Sequence, residues 1–221
     1  MRSSSLVRVL GQNHSILNQY IAEIRDVEIQ KDHLRFRKNL ERIGELFAFE
    51  ISKEMAYEEK EVPTPLGIAN VPVLKEYPVL ATILRAGLPF HQGFLHVFDQ
   101  SANAFISTYR MPHKDGSFSM SIEYASTTPI EGKVLIICDT MMASGSSMVY
   151  TYKELISKGK PSHTHLVTIL ACMEGLNHLK QSLPQRDITI WTGVVDEELT
   201  AQLFLVPGLG DAGDLAFGIK N

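Results

Sequence analysis

The chain has little cysteine, no long apolar run and no concentration of basic charge, and each shortage removes a class of protein. Two cysteines in 221 residues, Cys138 and Cys172, cannot build a disulfide scaffold or a thiolate zinc cluster. Both close apolar runs and read as buried free thiols. No run approaches the roughly 18 apolar residues of a membrane span, and the first residues lack the apolar segment of a secretory signal. A cytoplasmic protein without a membrane partner is expected. A formal charge of −4 with few Lys/Arg runs argues against a nucleic-acid partner. What remains is ordinary: 44% apolar and 21% charged residues suit one α/β domain spanning 1–221 with a sizeable core. Three catalytic signatures are missing as well. There is no G-x-x-x-x-G-K-[ST], no G-x-S-x-G, and no G-x-G-x-x-G after an expected strand.

The most informative stretch is VLIICDTMMASGSSMVYTYKELI, residues 134–156. Val134–Cys138 is a five-residue apolar run, the mark of a strand buried on both faces. Asp139 reads as its end, and Thr140–Ser147 as a turn of small and hydroxylated residues. Met148, Val149, Tyr152, Leu155 and Ile156 then recur at helical spacing until Gly159. A strand, small-residue loop and helix present free N–H groups and the positive end of a helix dipole to an anion. The same pattern also describes a plain serine-capped turn. Asp139 beside the loop suits a ligand that carries hydroxyls next to its phosphate, such as a ribose 5-phosphate.

Elsewhere, residues 32–57 place Phe36, Leu40, Ile43, Phe47, Ile51 and Met55 on one stripe of a long helix capped by Asp32. This belongs to an N-terminal helical region of about 14–57. Residues 60–74 hold three prolines among β-prone pieces, a surface hairpin or loop. Buried strands are expected at 79–84, 105–109, 166–172 and 188–195. A helix is expected from about Pro89 to Phe98, and a shorter one carries Leu176, Leu179 and Leu183. Asp115-Gly116 marks a protruding β-hairpin arm over about 105–128. Alternating strands and helices imply an α/β fold with a mainly parallel sheet flanked by helices. His163 and His165 read as a solvated turn rather than a metal pair. Arg85, just past a strand, is either a surface charge or an anion ligand whose planar fork grips two phosphate oxygens.

DTMMASGSS at 139–147 resembles the phosphoribosyl-pyrophosphate (PRPP) loop of the type I phosphoribosyltransferases. Its detail is similar to the D-P-M-L-A-T-G-G-S form of the uracil phosphoribosyltransferase family. ILRAG at 83–87 and PGLGDAGD with FG at 207–218 resemble the same family in the same order, and the likeness runs from about residue 14 to the C-terminus. The resemblance implies conversion of uracil and PRPP to UMP and pyrophosphate, a pyrimidine-salvage reaction. It implies that PRPP is bound by Arg85, Arg110, Asp139, Thr140, Met141, Met142, Ala143, Ser144, Gly145, Ser146, Ser147 and Asp211. Uracil falls to Leu205, Gly210, Asp211 and Ala212, and the chemistry to Asp211, Arg110 and Asp139. His113 and Lys114 stand near enough in sequence to Arg110 to help neutralise pyrophosphate. Mg²⁺ bound to the substrate is the implied cofactor, without a protein metal site. A homodimer or homotetramer is implied, and GTP activation occurs in parts of the family. Two alternatives stay open, a phosphoribosyltransferase for another base and a non-catalytic or regulatory nucleotide-binding paralogue.

The chain departs from the family pattern at five positions. Ser144 stands for threonine, and Ser146 for a glycine whose left-handed backbone, if required, costs a side chain about 1–2 kcal/mol. Thr140 stands for proline, which frees a backbone N–H and is expected to loosen the turn. Phe204 stands for tyrosine and Leu215 for a basic residue.

Overall fold

Strands that are apolar on both sides must be covered on both sides, and the helices that follow them supply the cover. The computed structural model describes residues 6–112 and 118–220. In chain order the elements are β1 (Val7–Val9), α1 (Ile16–Arg25), α2 (His33–Ser52), β2 (Tyr57–Thr64), β3 (Gly67–Leu74), β4 (Val79–Leu84) and α3 (Gly87–Val97). They continue as β5 (Asn103–Pro112), β6 (Phe118–Ser126), β7 (Val134–Met142), α4 (Ser146–Ile156), β8 (His163–Cys172) and α5 (Met173–Ser182). The chain closes with β9 (Ile188–Asp196), β10 (Glu198–Leu199), β11 (Leu205–Val206) and α6 (Ala212–Phe217). Among the described residues, seven strands form one sheet in the order β1-β9-β8-β7-β4-β5-β6. All neighbours are parallel except β5 and β6. No helix among the described residues is long and apolar enough to cross a membrane.

One face of the sheet is covered by α1, α2 and α3. Asp32 caps α2 by accepting from the Arg35 N–H at 3.0 Å, and Phe36, Leu40, Ile43, Phe47 and Ile51 bury the expected stripe. Phe47 and Phe94 each meet Phe90 edge to face. The helix stops at Ser52 rather than 57. Short bonds from Glu54 to Ile51 and from Met55 to Ser52 tighten its last turn, and Pro63 and Pro65 suit the extended chain beyond. The opposite face is covered by α4 and α5 through Met148, Tyr152, Leu155, Leu176 and Leu179.

The 57–74 excursion is a hairpin. β2 and β3 form a ribbon apart from the main sheet, with the turn closed by Thr64 Oγ1 donating to Gly67 O at 3.0 Å. β5 and β6 pair antiparallel at the end of the main sheet. The expected turn at Asp115-Gly116, with His113 and Lys114, lies outside the described residues. β8 begins at His163, so the two histidines do not occupy a solvated turn. Pairing of Thr164 with Ile188 extends the strand, His165 is 3% exposed, and its Nδ1 accepts from Trp191 Nε1 at 3.0 Å.

The strand order fixes where a ligand can enter. After β4 the chain moves outward to β5, whereas after β7 it moves the other way to β8 and β9. The helices after these two central strands therefore cover opposite faces and leave a crevice beyond the strands' carboxyl ends.

Candidate active site

The crevice opens because β7 outlasts its pairing with β4. Pairing with β4 ends at Cys138 opposite Thr82, but pairing with β8 continues to Met142 opposite Ala171. The strand thus runs three residues past Asp139, its expected end, and Asp139–Met142 present a free edge to the space beyond β4. Asp139 is half-buried there and accepts from the Thr140 N–H at 2.7 Å. Burial pushes its carboxyl up to about 7, against the pull of the Thr140 and Met141 N–H groups. Thr140 is not a loosened turn residue. It is buried inside β7, and the N–H that proline would lack helps to hold Asp139.

Beyond Met142 a short turn leads into α4 and lines a cradle of about 80 Å³ with Met141 through Ser147. Gly145 precedes α4 at φ +76, where an added Cβ would lie 2.5 Å from Leu179 Cδ1. The left-handed position is therefore still a glycine. Ser146 is the first residue of α4, in ordinary helical geometry, so its side chain carries no backbone penalty. Ser144 Oγ accepts from the Ser146 N–H at 3.4 Å and meets Ser146 Oγ at 3.1 Å. The turn's carbonyls are gripped from behind. Cys172 Sγ donates to Ala143 O at 3.1 Å, and His178 Nδ1 donates to Ser144 O at 2.7 Å. A carbonyl only accepts, so His178 carries its proton on Nδ1.

A neighbouring cleft of about 250 Å³ shares Asp139, Met141 and Ser147 with this cradle and adds Arg85, Asp211 and Ala212. Arg85 follows a cis Leu84–Arg85 peptide. Its guanidinium donates to Asp214 Oδ1 at 2.8 Å and to Gly218 O at 3.2 Å. Asp211 caps α6 by accepting from the Asp214 N–H at 3.0 Å. Gly208–Gly213 does match G-x-G-x-x-G and follows β11, contrary to the expectation that no such run follows a strand. Yet β11 belongs to a two-stranded antiparallel ribbon, not to a parallel β-α-β unit.

Placement of the remaining candidates differs. Met142, Ala143, Ser144, Gly145 and Ser146 belong to the cradle. Leu205 packs into the core, and neither it nor Gly210 lines the cleft. Arg110 lies in β5 opposite Met120, and its side chain is outside what the structure describes. Phe204 is 47% exposed and does not line the cleft; Leu215 packs against the core, and its carbonyl accepts from His33 Nδ1. Thr108 and Lys220 do line the cleft. No motif or spacing marked them, since one sits inside a β-strand and the other is the penultimate residue.

A phosphate-sized cradle, a carboxylate and an arginine at the switch point of a mainly parallel sheet are the parts of a type I phosphoribosyltransferase. Within that class the chain belongs to the uracil phosphoribosyltransferase family, whose model matches residues 11–219. A uracil phosphoribosyltransferase of Porphyromonas gingivalis is 49% identical over 211 residues, which cover 96% of this chain and 97% of that protein. One from Methanothermobacter thermautotrophicus is 36% identical, with 85% of each chain covered. The solved AQ2163 protein of Aquifex aeolicus superposes with a TM-score of 0.84 at 28% identity, covering 96% of this chain and 98% of that one.

Proposed function

We propose that the protein transfers the phosphoribosyl group of PRPP to uracil, releasing pyrophosphate and forming UMP. The observation that carries this reading is the joining of the 139–147 cradle and the 211–212 segment in adjoining clefts that share Asp139. In the reaction, uracil N1 bonds to ribose C1′, the bond from C1′ to the pyrophosphate oxygen breaks, and the N1 proton leaves.

Each part has a physical task. The end of β7 and the turn after it, Thr140 to Ser147, hold the 5-phosphate through N–H and hydroxyl donors at the start of α4. Asp139 accepts from the ribose hydroxyls in its ionised form. Arg85 and Arg110 stabilise charge on the departing pyrophosphate. Asp211 and Ala212, which line the cleft, offer backbone groups to the edge of uracil, with Gly210 beside them and Leu205 packed behind the same segment. Cytosine would set a donor against a donor there, at about 1–3 kcal/mol for each buried mismatch. Asp211 is assigned the loss of the N1 proton, and Asp211→Asn with unchanged turnover removes it from that task.

The residues present fit Mg²⁺ delivered by its substrate. Among the described residues no three His, Cys, Asp or Glu side chains gather into a cage. A cation held mostly by phosphate oxygens and water needs one or two carboxylates at most, and Asp139 and Asp211, which line the cleft, would supply them. When bound, Mg²⁺ neutralises charge on the diphosphate. A homodimer or homotetramer, GTP activation and a cytoplasmic location accompany the same reading. The test is UMP formation from uracil and PRPP with Mg²⁺, with cytosine and hypoxanthine alongside. Turnover of uracil alone supports the reading. Turnover of another base, or UMP binding without turnover, replaces it with one of the two alternatives.

A further inference from the structure

The segment read as binding uracil is gripped from outside the cleft by a buried ion pair. Asp196, the last residue of β9, is 3% exposed. Its Oδ1 accepts from Arg25 Nη2 at 2.6 Å, and its Oδ2 accepts from the Gly208 N–H at 3.0 Å. Arg25, the last residue of α1, sends Nη1 to Asp196 Oδ2 at 3.3 Å and to Gly208 O at 3.2 Å. Both backbone polar groups of one glycine are thus committed to one ion pair. Gly208 lies at φ +58, and an added Cβ would come within 2.1 Å of Leu205 O, so the turn admits no side chain there. Gln30 adds a third hold. With its amide nitrogen turned inward, it donates to Leu209 O and to Ile24 O, each at 3.0 Å.

A buried ion pair is a weak source of net stability, because desolvation offsets much of the attraction. What this pair supplies without competition is orientation. Bonds on the N–H and the C=O fix the peptide planes on both sides of Gly208, two residues before Gly210. We infer that Arg25 and Asp196 are positioning residues of the uracil subsite, aiming Gly210, Asp211 and Ala212 at the base from outside the cleft. The inference rests on the uracil reading above. Neither residue lines the cleft or the cradle, so their influence is geometric and reaches the site through the 208–212 segment.

The experiment compares Arg25→Met, Arg25→Lys and Asp196→Asn with the wild type, after wild-type turnover of uracil has been shown. Michaelis constants for uracil and PRPP, and kcat, are measured well below each variant's melting temperature. Arg25→Met should raise KM for uracil about tenfold or more, as misplacement by a fraction of an ångström does. KM for PRPP should rise much less than KM for uracil, because the 139–147 cradle has its own anchors in Cys172 and His178 and only Asp211 among the PRPP residues moves with Gly208. Arg25→Lys keeps a cation and a donor and should recover part of the loss. Asp196→Asn keeps the shape of the side chain and an acceptor for the Gly208 N–H, and should still raise KM for uracil. An unchanged KM for uracil overturns the inference. So does a parallel rise in both Michaelis constants with a fall in folded fraction, which is the signature of a merely structural pair. A wild type that fails to turn over uracil overturns the parent reading first, and this one with it.

Discussion

Replacing Asp139 with asparagine should stabilise the protein at neutral pH while weakening its hold on PRPP. Burial raises this carboxyl from the ordinary 3.8 to about 7. A carboxyl whose folded value is raised favours folding while protonated. That contribution is complete below 3.8 and is lost as pH climbs to about 7. At about 1.4 kcal/mol per pH unit, the full loss is at most about 4 kcal/mol. Asparagine never ionises and escapes it. The substitution exchanges the carboxyl's bonds with the Thr140 and Met141 N–H groups for those of a neutral amide oxygen, about 1 kcal/mol, and the charge-dependent part of that exchange is already contained in the value of about 7. Urea denaturation of both proteins at pH 5 and pH 8 separates the two effects. The stability of Asp139→Asn relative to wild type should grow by about 3 kcal/mol between those conditions. A difference that is constant, or that shrinks with rising pH, refutes the reasoning.

The same ionisation governs binding. Ribose hydroxyls donate charge-assisted bonds to the carboxylate, and its protonated form, with one neutral carbonyl acceptor and an added O–H donor, holds them less well. With a value of about 7, the ionised fraction rises from about one-tenth at pH 6 to about nine-tenths at pH 8. The ratio of wild-type to Asp139→Asn affinity for PRPP should therefore rise about tenfold across that range. Taking the ratio cancels titration of the ligand's own phosphates. Calorimetric titration of PRPP at both pH values reads it directly, and a flat ratio removes Asp139 from contact with the ribose.

Three further outcomes follow from the geometry. Gly145→Ala forces a side chain into φ +76 and against Leu179, which should cost about 2 kcal/mol or more in urea denaturation and raise KM for PRPP. Ser146→Gly restores the family residue in ordinary helical geometry, so KM for PRPP should stay within about twofold and stability should fall by up to about 1 kcal/mol. His91 is 1% exposed and burial pushes it down to about 4, so the unfolded chain takes up its proton near 6.5 while the folded one does not. The stability of wild type relative to His91→Gln should therefore fall by about 1.4 kcal/mol for each pH unit from 6.5 towards about 4, and a level difference in denaturation curves contradicts it.

Buried strands were legible because burial on both faces writes them as unbroken apolar letters, as at Val79–Leu84. Their ends were not legible. β7 continues through Asp139 and Thr140 because β8 still offers it a partner, and that partner is invisible along the chain. His165 was hidden for a similar reason, since its polar ring is satisfied by Trp191, 26 residues away. The motif residues at 83–87, 139–147 and 207–218 stood out by resemblance. Which of two adjacent positions, Gly145 or Ser146, takes the left-handed backbone depends on a torsion that composition does not encode.

Apart from Asp214, which belongs to PGLGDAGD, the groups that hold the site in place lie outside the motifs. Ala143 and Ser144 are held by Cys172 and His178, Arg85 by Asp214, and Gly208 by Arg25 and Asp196. In the PRPP turn the anchors grip main-chain carbonyls, whose position does not depend on the side chain that the residue carries. Exchanging threonine for Ser144 or glycine for Ser146 leaves those carbonyls where Cys172 and His178 put them. The departures that cast doubt on the turn from sequence alone therefore fall where the backbone is already fixed by other means. The sensitive substitutions should be those at the anchors, which a comparison of motifs passes over.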